Sequence, residues 1–149
     1  MASRTLFTTP LVSPLLRGIA RLFLYLKGWK CVGGRPPGVS RCVMIAAPHT
    51  SNWDLPYTLM IALALRIDIH WMGKDTLFRA PFGGVMRWLG GVPVDRSKAN
   101  DLVAASVAQL KASDDLVLVV PPEGTRSKVT YWKTGFYWIA TAPACRSCW

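Results

Sequence analysis

The chain has 149 residues, 51% of them hydrophobic and 17% charged, with 18 Lys and Arg against 8 Asp and Glu for a net charge of +10. Such hydrophobicity excludes a disordered chain, four Cys are too few for a small disulfide scaffold, and the length suits one domain with a real core. A chain both oily and basic suits an anionic membrane surface, whereas basic character alone would suit nucleic acid.

The charge is uneven. Met1 to Arg41 carries seven basic and no acidic residues, while Cys42 to Trp149 carries 11 basic and 8 acidic. Within the basic arm, Leu11, Leu15, Leu16, Ile19, Leu22, Phe23 and Leu26 recur at helical spacing, punctuated by Arg17, Arg21 and Lys27, with Tyr25 and Trp29 near the end. The pattern predicts an amphipathic helix. It either lies in a membrane interface or packs on the domain with its cations solvated. No run of about 18 apolar residues suggests a transmembrane helix. Arg17 and Arg21 interrupt what would be the apolar region of a signal peptide. The loop Gly33-Gly34-Arg35-Pro36-Pro37-Gly38 divides the chain into an arm, 1–38, and a main domain, 39–149.

Apolar runs and helical patterns then alternate. Val43 to Ala47 reads as a strand. Leu55 to Leu65 reads as a helix, with Asp54 as N-cap and Pro56 in its first turn. Ile67 to Met72 is a second strand. Leu77 to Leu89 is a broken helix, weakened by Pro81 and Gly83-Gly84. Val92 to Val94 is a short strand, Asn100 to Lys111 an amphipathic helix, Leu116 to Val120 a continuous apolar strand and Thr134 to Thr141 a last helix. This rhythm predicts an α/β layered domain with a largely parallel central sheet flanked by helices.

In such a sheet the chemistry gathers beyond the carboxyl ends of the strands. The segments there are Pro48 to Asp54, Gly73-Lys74, Asp95-Arg96 and Pro121 to Arg126. His49 and Asp54 are five apart, about 140° on a continuous helix, so they meet only if the chain turns between them. Asp54 could then hold one ring nitrogen of His49 and leave the other free to take a proton. No Ser or Cys sits in a nucleophile-elbow context, so the base would act directly on a substrate hydroxyl. The alternative is a capping Asp beside an incidental His. Arg96 and Arg126 suit a phosphate, with Lys74 adding a point charge, unless they pair with Asp95 and Glu123 in their loops. Gly124 allows a turn that brings Arg126 inward, and Gly90-Gly91 allow close backbone approach or form a plain loop. Cys145-x-x-Cys148 has no second pair or nearby His to complete a zinc site, which leaves reduced thiols in a cytosolic setting.

Three blocks occur in order: His-x4-Asp at His49 and Asp54, Gly-Val-Pro-Val-Asp-Arg at Gly91 to Arg96, and Pro-Glu-Gly-Thr-Arg at Pro122 to Arg126. Together they closely resemble the glycerolipid acyltransferases of the lysophosphatidic acid acyltransferase family, small bacterial members most of all. The similarity runs from about Cys42 to Ile139 and includes Trp71-Met72-Gly73-Lys74 and Trp132-Lys133-Thr134-Gly135-Phe136. It implies the glycerol-3-phosphate acyltransferase-like fold. It also implies transfer of an acyl group from acyl-CoA or acyl-carrier protein to a lysophospholipid hydroxyl, such as that of 1-acylglycerol-3-phosphate, in phospholipid biosynthesis. His49 would be the general base, oriented by Asp54. Arg96 would help bind the acceptor head group, and Glu123, Gly124 and Arg126, with Lys74, would shape the acceptor phosphate site. No metal or prosthetic group is implied, and no nucleic-acid partner. The basic arm would dock the protein peripherally on the cytoplasmic face of the membrane.

The sequence departs from the family after about Ala140, where Thr141 to Trp149 shows no apolar strand. The expectation is a shortened domain lacking C-terminal strands of the sheet. Two other readings stand beside the enzyme: a non-catalytic basic protein binding anionic membrane or nucleic acid, and a shortened, inactive homologue.

Overall fold

The computed structural model describes residues 4–94 and 99–142. Four strands, β1 (Arg41–Ile45), β2 (Ile69–Lys74), β3 (Gly91–Val94) and β4 (Leu116–Val120), form one sheet in the order β1-β4-β2-β3 with every pair parallel. The crossovers carry α2 (Asp54–Leu65) between β1 and β2, α3 (Gly83–Trp88) between β2 and β3, and α4 (Ala99–Ala112) between β3 and β4. α1 (Val12–Leu26) precedes the sheet and α5 (Gly135–Thr141) follows it. The α/β fold with a parallel central sheet is as the alternation of patterns predicts.

β4 lies inside the sheet and explains its unbroken run Leu-Val-Leu-Val-Val. Val117 and Val119 enter one core with Leu59, Ala62, Leu63 and Ile69, while Leu116 and Leu118 enter a second with Leu110 and Ile139. A strand covered on both faces has no polar side to alternate with. Each such fully buried aliphatic side chain contributes about 1.5–3 kcal/mol.

Several boundaries shift. The first strand is Arg41–Ile45 because it pairs residue for residue with Leu116–Val120. The second runs to Lys74 because Gly73 and Lys74 pair with Pro93 and Val94. Both residues therefore belong to the strand and not to the loop after it. The broken helix divides into a 3-10 turn, Asp75–Phe78, and α3. The glycines open α3 instead of breaking it: a Cβ on Gly83 would stand 2.0 Å from the Phe78 carbonyl oxygen. Gly90 also has a packing reason, since with φ +84° it lets the Ile69 carbonyl approach to within 2.4 Å of where a Cβ would be.

α1 packs against α2, which the sheet covers on its other side. The seam is narrow: Ser13, Ala20 and Leu24 are buried, and the Arg21 guanidinium donates to the Ala64 carbonyl at 3.2 Å. Of the apolar stripe read from the sequence, Leu16 packs on the core and Phe23 against Tyr57, while the rest points elsewhere. Leu11 is 85% exposed, Leu15 65%, Leu22 61% and Leu26 72%. Among the described residues no helix is long and apolar enough to cross a membrane. The chain before α1 is tied down, the Leu6 amide donating to the Trp88 carbonyl at 2.7 Å and the Trp88 indole to Thr9 Oγ1 at 2.9 Å. The loop 33–38 is fastened at Arg35, whose guanidinium meets Asp115 in a two-pronged pair of 2.6 and 3.1 Å. Cys145 and Cys148 lie outside the described residues, as does most of the segment after about Ala140 where the sequence departs from the family pattern.

Candidate active site

β1 and β4 are hydrogen-bonded neighbours, so the loops leaving their carboxyl ends start side by side. The ladder continues one step past β1, where the Ala46 amide donates to the Val120 carbonyl at 3.1 Å. From there the first chain turns through Pro48 to Trp53 into α2. His49 lies in that turn and Asp54 is the first residue of the helix. Nδ1 of His49 stands 3.0 Å from Asp54 Oδ2. The sequence-predicted pair therefore meets.

Asp54 reaches it by another route than expected. It is not the N-cap; that position is Trp53, which makes no side-chain cap bond. Asp54 turns its carboxylate back over the loop, where Oδ2 accepts from the Thr50 amide at 2.7 Å and the Ser51 amide at 2.8 Å. Oδ1 accepts from Ser51 Oγ at 3.4 Å. The donated amides, that of Ser51 foremost and then that of Thr50, together with the neighbouring imidazole, outweigh partial burial and hold the Asp54 carboxyl below its ordinary value. An ionised carboxylate offers no proton, so His49 carries its own on Nδ1. Nε2 makes no hydrogen bond among the described residues. The arrangement is an imidazole with its orientation fixed from behind. Ser51 Oγ in the same turn donates to Asp54 and accepts from the Trp53 amide at 3.1 Å.

The second loop, Pro121 to Arg126, turns at Gly124, whose φ of +63° is in the left-handed region that glycine tolerates. The Gly124 amide donates to the Pro121 carbonyl at 3.3 Å. Glu123 is buried, and its Oε1 accepts from the His49 amide at 3.4 Å. Arg126 is exposed, as is Lys74 at the end of β2, and among the described residues neither makes an ion pair. The loop pairings offered as alternatives for Arg126 thus do not form among these residues. Arg96 lies outside the described residues.

The structure adds Lys133 to this set. A Cβ on Gly124 would stand 3.0 Å from Lys133 Cδ and 3.1 Å from its Nζ, and the Lys133 amide donates to the Pro122 carbonyl at 2.9 Å. The lysine is thus laid over the Glu-Gly-Thr-Arg turn. A lone Lys seven residues after Arg126 gives no spacing signal; only its place in the Trp-Lys-Thr-Gly-Phe block marks it. Among the described residues no group of three His, Cys, Asp or Glu gathers as metal ligands would.

A model of the acyltransferase family matches residues 36–144. The chain belongs to the acyltransferase family. No curated protein and no solved structure matches it. Membership places the chain among transferases of acyl groups, which need a donor and an acceptor. The match spans both loops described above, the His49–Asp54 corner and the Glu-Gly-Thr-Arg turn.

Proposed function

We propose that the protein transfers a fatty acyl group from a thioester, acyl-CoA or acyl-carrier protein, to the hydroxyl of a lysophospholipid such as 1-acylglycerol-3-phosphate, as a step of phospholipid synthesis. The observation that carries this reading is the 3.0 Å contact between His49 Nδ1 and Asp54 Oδ2. Nε2 takes the proton of the acceptor hydroxyl as its oxygen attacks the thioester carbonyl carbon. The tetrahedral intermediate collapses with rupture of the C–S bond, and the proton held on Nε2 passes to the departing sulfur. Asp54 stabilises the imidazolium formed in between. The chemistry uses no metal and no covalent acyl-enzyme.

Arg126 and Lys133, in the chain after β4, and Lys74, at the end of β2, supply exposed positive charge beyond the carboxyl ends of those strands, suited to the acceptor phosphate. Arg96 is proposed to join them through its place in the family block. The outward apolar residues of α1, with Lys27 at the end of the helix, suit peripheral docking on an anionic leaflet, which we place on the cytoplasmic face. The arm 1–38 then serves the membrane and 39–149 the chemistry.

The test follows thiol release from an acyl-CoA by the purified chain. Release that requires 1-acylglycerol-3-phosphate and yields the diacyl product is expected. Salt-sensitive oligonucleotide binding with no acceptor-dependent release would overturn the proposal.

A further inference from the structure

Glu123 is a member of the family block that nevertheless fits poorly as a phosphate ligand. It is only 8% exposed. One oxygen, Oε1, faces the His49 amide at 3.4 Å, and the other, Oε2, is buried with no hydrogen-bond partner among the described residues. A buried carboxylate repels a phosphate, and its desolvation has to be offset by donors. The donor it has is the peptide N–H of the residue proposed as base. That contact crosses from the β4 loop to the β1 loop, just where the Ala46–Val120 ladder bond ends.

We propose that Glu123 is a positioning residue for His49. It holds the peptide at His49 from the β4 side while Asp54 holds the ring from the α2 side. Between them they leave Nε2 one place to stand. Acceptor recognition then falls to the exposed cations Arg126, Lys74 and Lys133, not to Glu123. The inference rests on the reading of His49 as the base.

Steady-state kinetics and long-range proton–nitrogen spectra of the two imidazoles test it together. Glu123→Gln keeps an oxygen for the His49 amide, so its kcat and acceptor KM are expected within about threefold of the parent. Glu123→Leu is expected to lose kcat about 10- to 100-fold with acceptor KM unchanged, the range of a lost supporting contact. Its spectra should show His49 losing its single Nδ1–H tautomer while the His70 signals stay put. Two results overturn the proposal: an acceptor KM raised about tenfold in either variant with kcat held, which makes Glu123 an acceptor ligand, or full kcat in Glu123→Leu. Should Glu123→Leu fail to fold, Glu123→Gln decides alone. Parent-like kinetics support the positioning role, and a raised KM or a large loss of kcat overturns it. The underlying reading fails separately, if His49→Ala retains transfer.

Discussion

The chain has two histidines, and each has an aspartate for a neighbour. His49 lies at the carboxyl end of the sheet, in the turn into α2, partly exposed, with Nδ1 on Asp54 and Nε2 open. His70 lies within β2, opposite Leu118 of β4, and its Nδ1 is buried without a partner among the described residues. Asp68 acts on it electrostatically and is itself held by Thr5, whose Oγ1 donates to Oδ1 at 3.1 Å. Burial disfavours the charged form of both members of this second pair, so the His70 pKa is lowered and the Asp68 pKa raised. The same residue types thus make a partly exposed, oriented imidazole in one place and a desolvated, charge-averse pair in the other. On the proposed reading, position on the sheet and not residue identity separates the base from a structural histidine.

Substitutions sharpen the contrast. His49→Ala should lower kcat by about 10³-fold or more, the upper range of general-base catalysis, with circular dichroism unchanged. Asp54→Asn should cost about 10²- to 10⁴-fold in kcat with acceptor KM held, because the amide neither fixes the Nδ1–H tautomer nor stabilises the imidazolium. Arg126→Ala should leave kcat within about twofold and raise acceptor KM about tenfold, roughly one charge-assisted hydrogen bond. A phosphate-free acceptor, monoacylglycerol, should not feel that change.

The smallest effect concerns pH. A lowered His70 pKa means that the unfolded chain binds a proton first as pH falls. The stability His70 contributes is present above its ordinary value of 6.5 and lost below it. Asp68 has the opposite sign: its raised value contributes below the ordinary 3.8 and loses that contribution as pH rises through the folded value. His70→Leu should therefore flatten the fall in melting temperature just below pH 6.5, measured by thermal melts across pH, without touching activity at neutral pH. A slope that persists in His70→Leu would show that the loss arises elsewhere.

Much of this was readable from the sequence. The alternation of apolar runs and helical patterns specified a parallel α/β sheet, and the gathering of ligand sites at the carboxyl ends of its strands pointed to the Pro48–Asp54 and Pro121–Arg126 loops. Three things were not readable. Helical spacing shows that α1 has an apolar stripe but not which side is covered; with Ala20 and Leu24 buried, Leu11, Leu15, Leu22 and Leu26 turn outward. An Asp before a helical pattern reads as a cap, but the free amides of Thr50 and Ser51 compete for the same oxygen at short range and win. Burial of Glu123 depends on β1 lying beside β4, a pairing between segments more than 70 residues apart that no local pattern encodes.

The most direct test assays His49→Ala and His70→Leu side by side for acceptor-dependent thiol release from acyl-CoA, each shown to be folded. The account predicts an inactive His49→Ala and a His70→Leu with kcat within about twofold of the parent. Transfer retained by folded His49→Ala, or lost in folded His70→Leu, would contradict it.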